Sequence, residues 1–385
     1  MKLAALVIAI AILAACDAEE TAQANLVAAP LPAGAHEWVE LTPQPTLIDG
    51  RVIEPTCSGA PGTDPAFRFW ARRGLSENLV VFFDGGGACW NDLTCGVPRR
   101  ASDAADSDGF YKSELLASDN PNELGGMFDF ADARNPVADW SFVFVPYCTG
   151  DVHSGANTAD YVDLDSGESY TIAHRGADNF RVILEWMRAN FDAPPQLLVT
   201  GSSAGAYGAA THFGRIREAF PEGRAAMLGD AGQGVTTADL FTDRNNTWRY
   251  DLPANVFGAD AQLTADDDIV ADLAAHYPQD RFAQYTTAHD ITQASFYSLM
   301  GVANACRAWT DKMASDLERR QGVTNFRSYL AAGQSHTILR SPRFYSEASA
   351  GGRFVDWFAS MLGDGANWDN EACAECLNRR YRCQF

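Results

Sequence analysis

Short, uninterrupted apolar runs alternate along the chain with longer stretches whose apolar positions recur every three or four residues. Leu79-Val80-Val81-Phe82-Phe83, Ser141-Phe142-Val143-Phe144-Val145 and Gln196-Leu197-Leu198-Val199-Thr200 read as buried strands. Ala225-Ala226-Met227-Leu228 and residues 282–287 and 326–331 supply later ones. Between them, Phe180, Ile183, Leu184 and Met187 mark the apolar face of a helix over 175–191, stopped by Pro194-Pro195. Residues 206–218 carry a second such face, and Phe354, Phe358 and Leu362 a last one. Thr264 followed by Asp266-Asp267-Asp268 predicts a helix start, because acidic side chains are favoured at the positive end of the helix dipole. A solvated helix terminus explains that run better than a metal site does. Strand and helix in alternation predict the α/β class, with a mostly parallel central sheet flanked by helices and interrupted by inserted loops. No repeat and no second boundary appears, so residues 41–385 are expected to form one domain.

The first residues follow a different pattern. Met1-Lys2 precedes an unbroken apolar run over 3–15, shorter than the roughly 20 residues a membrane span needs but suited to a secretory signal. Leu13-Ala14-Ala15-Cys16 resembles a lipobox, in which cleavage after residue 15 leaves Cys16 as a lipidated N-terminus. The alternative is a plain signal peptide and a soluble exported protein. Residues 16–40 are Ala-rich, polar and aperiodic, as in a flexible tether. These features predict a cell-envelope protein that meets a membrane only through Cys16. Nine cysteines minus Cys16 leave eight, an even number that in an exported protein points to disulfides, Cys89 with Cys95 being close enough to close a small loop. Cys373-x-x-Cys376 is the one zinc-like pair, and no second pair follows at finger-like spacing. A formal charge of −21 argues against nucleic acid as a partner, since phosphate recognition rests on Lys and Arg.

Candidate chemistry centres on Gly201-Ser202-Ser203-Ala204-Gly205, between a strand and a helix. In that context Gly-x-Ser-x-Gly is the nucleophile elbow of α/β-hydrolases, whose sharp turn lifts the central serine, here Ser203, above the sheet. A serine hydroxyl needs a base to take its proton and an acid to orient that base, and in this fold the chain order is Ser, acid, His. His336 lies past the last long strand and before the final helix, where the base belongs, whereas His276 ends a helix and His289 adjoins Asp290. Asp290, past the penultimate strand, suits the acid, and Asp230, at the end of the strand after the elbow helix, competes with it. The amide of Ala204 and those of the Gly85-Gly86-Gly87 turn are the expected oxyanion donors. That turn lacks the residues of a phosphate loop.

Together with Phe83-Asp84-Gly85-Gly86-Gly87-Ala88-Cys89-Trp90, Pro146-Tyr147-Cys148-Thr149-Gly150-Asp151-Val152-His153-Ser154-Gly155, Gly229-Asp230-Ala231-Gly232 and Ser335-His336-Thr337, the elbow resembles the pectin acetylesterase/Notum family over about residues 79–340. The resemblance implies a triad of Ser203, Asp290 and His336, oxyanion donors at Gly86, Gly87 and Ala204, a Cys89–Cys95 disulfide, and Asp230 as a structural residue. It implies substrate contacts at Trp90 and at His153 by the pocket mouth. It also implies carboxylesterase activity on short or fatty acyl esters without metal or organic cofactor, and the substrate expected here is an ester-bearing small molecule or acylated glycan with a short, acetyl-like acyl group. Plant members carry Trp where this chain has Ala88, and Notum carries Trp where it has Gly87, so neither pectin nor a lipidated protein follows as substrate. Polyester depolymerisation, peptide hydrolysis, or binding by a hydrolase fold without activity are the competing functions.

Overall fold

The computed structural model describes residues 27–96, 98–99, 109–259, 261–264, 267–363, 365 and 367–378. The apolar run over 3–15, read above as a signal, and Cys16 lie outside these residues. Nine strands form the central sheet: β1 (Val39–Leu41), β2 (Phe69–Arg72), β3 (Leu79–Phe83), β4 (Ser141–Val145), β5 (Gln196–Ser202), β6 (Arg224–Asp230), β7 (Arg281–Thr287), β8 (Phe326–Ala331) and β9 (Glu371–Ala372). Their order is β1-β2-β4-β3-β5-β6-β7-β8-β9. β2 runs antiparallel to β1 and to β4, and every other pairing is parallel. The strands predicted from continuous apolar runs are those of the sheet centre. They are covered on both faces, which is why their sequences do not alternate.

Helices cover both faces. α1 (Gly176–Asn190) and α2 (Ala204–Ala219) belong to one core, where Phe180, Ile183 and Met187 meet Phe213 and Ile216. The other core is sealed by the last long helix, Phe354–Leu362, through Phe354 and Phe358. Between β6 and β7 the chain forms α3 (Ala238–Thr247) and α4 (Ile269–His276), and between β7 and β8 it forms α5 (Ile291–Leu299) and α6 (Ala305–Arg320).

Two expectations need correction. The helix predicted from Thr264 starts at Ile269, with the Asp268 side chain accepting from the Ala271 amide at 3.1 Å. Thr264 forms a separate turn in which the Asp267 carboxylate takes its amide at 2.6 Å and its hydroxyl at 2.9 Å. The tether expected to reach residue 40 is already packed on the domain from residue 27. Ala28 and Leu31 are buried, the Leu31 amide donates to Asn190 Oδ1 at 2.8 Å, and Trp186 Nε1 donates to the Ala29 carbonyl at 2.9 Å.

Disulfides join Cys57 to Cys148, Cys89 to Cys95 and Cys373 to Cys376, and Cys306 is also disulfide-bonded. Cys373-x-x-Cys376 is therefore a bridge. Cys89, Cys95 and His174 lie close together, but the two sulfurs are bonded to each other and the imidazole is held by Tyr161 and the Thr149 carbonyl. No helix among the described residues is long and apolar enough to cross a membrane.

Candidate active site

The parallel strands end along one edge of the sheet, and the predicted site residues sit just past those ends. Ser203 occupies the junction of β5 and α2 with φ 57° and ψ −122°, a conformation that a non-glycine residue adopts only when its surroundings impose it. The glycines of the motif make the turn possible. A Cβ on Gly205 would meet the Phe83 carbonyl carbon at 2.5 Å and the Asp84 carbonyl oxygen at 2.8 Å, and one on Gly201 would meet the Phe83 oxygen at 2.6 Å. The elbow is thus wedged against the end of β3, which brings Ser203 to the glycine turn that follows that strand.

His336 and Asp290 come from the loops after β8 and β7. The His336 Nδ1 is 2.8 Å from Asp290 Oδ2 and 3.1 Å from Oδ1. Asp290 is fully buried and caps α5, accepting also from the Gln293 amide and side chain, each at 3.0 Å. The two loops are tied together: the Thr287 hydroxyl donates to the Ser335 carbonyl at 2.8 Å, and the His289 amide to that of Gly333 at 3.0 Å. His336 Nε2 is buried without a hydrogen-bond partner among the described residues, and His336 lines the same two cavities as Ser203. His289 is committed elsewhere, to Thr310 and the Cys376 carbonyl, and His276 stacks edge-on against Tyr277 at the end of α4.

Asp230 has another place. Its buried carboxylate accepts from the Ser202 hydroxyl at 2.6 Å and from the Ile338 and Leu339 amides at 3.0 Å. It binds the strand of the elbow to the loop of the histidine and does not touch the imidazole ring nitrogens. Burial pushes its carboxyl above the usual range.

The glycine turn is held from three sides. Burial opposes ionisation of Asp84, but Arg340 and Lys112 more than offset it and hold the carboxyl below its usual value; Lys112 Nζ lies 3.1 Å from Oδ2. The Asp84 carbonyl accepts from His153 Nε2 at 2.8 Å. Gly87 has φ 77°, and its neighbours bond to the next segment through Ala88 N to Phe110 O at 3.0 Å and Lys112 N to Gly86 O at 2.8 Å. The amides of Gly86, Gly87 and Ala204 donate to no acceptor among the described residues. That of Ala204 also opens α2, where the helix dipole favours negative charge.

His153 does not line the pocket mouth. It is 2 % exposed, with its pKa lowered to about 4 by burial, and Gly176 and Gly208 leave the space it fills: a Cβ on either would come within 2.6 to 2.8 Å of it. Its task is to support the glycine turn from beneath. Trp90 does line a cavity.

Two cavities meet at Ser203 and His336. One, of about 790 Å³, is wide and mixed in character, walled by Lys112, Asp119, Ser295 and Arg340 and by Phe110, Phe296 and Leu299. The other, of about 60 Å³, is small and mostly apolar, walled by Trp90, Val152, Leu240, Trp248, Phe296 and Met300. The walls from α3 and α5, together with the Lys112–Asp84–Arg340 cluster, were not read from the sequence. Arg340 lies only four residues past His336, which was the available signal for it.

A family model described as Pectinacetylesterase matches residues 44–300, a range that contains Ser203 and Asp290 and ends before His336. The chain is 26% identical over 145 residues to the palmitoleoyl-protein carboxylesterase NOTUM of Schmidtea mediterranea, an alignment covering 37% of this chain and 25% of that protein. The chain thus spans about a quarter of the length of the curated relative it matches. With a match over most of its length, the chain belongs to the pectinacetylesterase family.

Proposed function

We propose that this protein is a serine carboxylesterase that removes short acyl groups through an acyl-serine intermediate. The observation that carries the proposal is the hydrogen-bonded Asp290–His336 pair, whose His336 lines the same two cavities as Ser203, with the amides of Gly87 and Ala204 on the small cavity and that of Gly86 on the wide one, all three without an acceptor among the described residues. The Ser203 hydroxyl attacks the ester carbonyl and His336 Nε2 takes its proton, while Asp290 fixes Nδ1–H and stabilises the imidazolium. The three amides receive the developing oxyanion, each such donor being worth about 3 to 4 kcal/mol in the transition state. The imidazolium then protonates the departing alcohol, and water hydrolyses the acyl-enzyme by the same steps.

The two cavities divide the substrate. The wide one, with the charged and hydroxyl groups of Lys112, Asp119, Ser295 and Arg340 among its apolar walls, suits the alcohol part of an acylated glycan or similar ester. The apolar one holds about 60 Å³, in a measure in which one water takes roughly 10–15 Å³, so it admits about four to six small groups and no long fatty chain. The name of the planarian relative describes it as a palmitoleoyl-protein carboxylesterase, and the short pocket argues against that substrate here. Disulfides fit an exported protein, and lipidation at Cys16 would hold it at the envelope.

Ser203→Ala is expected to abolish p-nitrophenyl acetate hydrolysis and fluorophosphonate labelling with an unchanged circular dichroism spectrum. An active, folded Ser203→Ala protein would refute the assignment. Across an acyl series, kcat/KM should collapse beyond about six carbons, and globomycin should block processing if Cys16 is lipidated.

A further inference from the structure

α3 presents Leu240, Arg244 and Trp248 at four-residue spacing to the small cavity beside Ser203. Two of the three suit an apolar pocket, and the arginine does not. Arg244 is 6% exposed, and its Nε is buried with no hydrogen-bond partner among the described residues. None of the ion pairs among those residues includes it. This is unexpected in a chain with 50 acidic residues against 29 Lys and Arg. Arg320, equally buried on the wall of an adjoining cavity, is by contrast paired with Asp268 at 2.7 Å and with Gln284.

A buried charge is costly unless it is paired. Phe241, Trp248 and Tyr250 lie 4.7, 5.0 and 5.4 Å from the Arg244 guanidinium and supply cation–π contact to it. Ring faces leave the in-plane N–H donors without acceptors, and that planar fork matches a carboxylate. Ser203 and Arg244 line the same cavity, whose volume admits about four to six small groups beyond the reacting carbonyl. A succinyl group places five non-hydrogen atoms there: two methylene carbons and the three atoms of a carboxylate.

We propose that Arg244 is the specificity determinant of an acyl subsite for short dicarboxylic half-esters, of succinyl length, with the free carboxylate seated on the guanidinium. The inference rests on the esterase function proposed above and specifies its acyl group. Ser203 Oγ displaces the alcohol, which leaves with the proton carried by His336. Water then cleaves the succinyl-serine ester, so that half-ester plus water gives alcohol, dicarboxylate and one proton, with no redox change.

The test uses the whole protein and two ethyl esters of equal shape, monoethyl succinate and ethyl 4-methylpentanoate, in which an isopropyl group replaces the carboxylate. The wild type should show a kcat/KM ratio of at least ten in favour of the succinate. Arg244→Met should lower that ratio at least tenfold, and Arg244→Lys should fall between the two. A wild type that prefers the neutral ester, or a ratio unchanged in Arg244→Met, overturns the proposal. Should Arg244→Met not fold, the wild-type ratio alone decides. Cleavage of the neutral ester without preference for the succinate refutes the subsite and leaves the esterase standing. Absence of cleavage of both, with no fluorophosphonate labelling of Ser203, refutes both.

Discussion

Two buried carboxylates near the elbow were candidates for the triad acid, and exchanging each for its amide separates catalytic from structural work. In Asp290→Asn the α5 cap survives, because Asn accepts from the Gln293 amide about as well as Asp, and the stability loss should be confined to about 1–3 kcal/mol for the Gln293 side-chain donor that loses its acceptor. The introduced amide cannot hold His336 Nδ1–H as the carboxylate does. With the wrong tautomer Nε2 no longer accepts the Ser203 proton, and kcat should fall by about 10⁴, which is about 5 kcal/mol of transition-state stabilisation. In Asp230→Asn the reverse is expected. One of the oxygens that receive the Ser202 hydroxyl and the Ile338 and Leu339 amides becomes a donor facing donors. One or two buried N–H groups lose their acceptor at about 1–3 kcal/mol each, so stability should drop by roughly 1–6 kcal/mol. Activity per folded molecule should fall less than a hundredfold. Urea unfolding and p-nitrophenyl acetate kinetics on both variants decide the matter. If Asp230→Asn keeps its urea midpoint and loses 10⁴ in kcat while Asp290→Asn stays active, the acid has been assigned to the wrong carboxylate.

Gly205→Ala should lose about 3 kcal/mol or more, or fail to fold, because the added methyl meets the backbone of Phe83 and Asp84, which cannot move without breaking β3 from β5; a thermal midpoint equal to that of the wild type would contradict the packing. Removing the Cys57–Cys148 bridge, which spans 91 residues, should cost about 4 to 5 kcal/mol by loop entropy, with the urea midpoint of the Cys57→Ala/Cys148→Ala protein as the measure. Burial lowers the pKa values of His153 and His174 to about 4 and that of His212 well below its usual value, so the unfolded chain binds more protons than the native one between about pH 6.5 and 4. That stability is present above the unfolded value and is lost as pH falls toward 4. Asp151, pushed up to about 6 by burial, acts with the opposite sign, being stabilising when protonated and losing that contribution as pH rises through 6. Asp230, Asp272 and Asp280 are raised by burial as well and act with Asp151, so the histidine share is isolated in His174→Phe, whose urea midpoint should fall less between pH 6.5 and 4.5 than that of the wild type; an equal fall would refute it.

The sheet and the site were legible to different depths, for physical reasons. Parallel strands covered on both faces are written as continuous apolar runs, so β3, β4, β5 and β8 were readable to within two residues. Ser203, Asp290 and His336 could be named as candidates because this fold attaches the nucleophile, acid and base each to a strand end in fixed chain order, and all three do lie past strand ends. What stayed hidden depends on distant partners. His153 looked like a loop residue until Gly176 and Gly208, far along the chain, left a space for it. Residues 28–31 looked like tether because the groups that anchor them, Trp186 and Asn190, lie more than 150 residues away. At Thr264 two local signals competed, and Asp267 turned back to close a turn on the threonine, leaving Asp268 to cap the helix.

Asp230 shows why a site residue and a structural one can be hard to separate in one dimension. In the parallel register of β5 and β6 it stands directly opposite Ser202, one residue before the nucleophile. The Ser203 amide donates to its carbonyl at 2.7 Å, while its carboxylate takes the two amides that follow His336 and Thr337. A single residue therefore sets the elbow and the histidine loop against each other, using backbone at one end and side chain at the other. It has the strand-end position of a triad acid because it holds the turn of Ser203 and the loop of His336 together. Asp290, by contrast, spends its carboxylate on His336 and on the cap of α5, so the helix that walls both cavities is fixed by the same group that holds the imidazole of the proposed base.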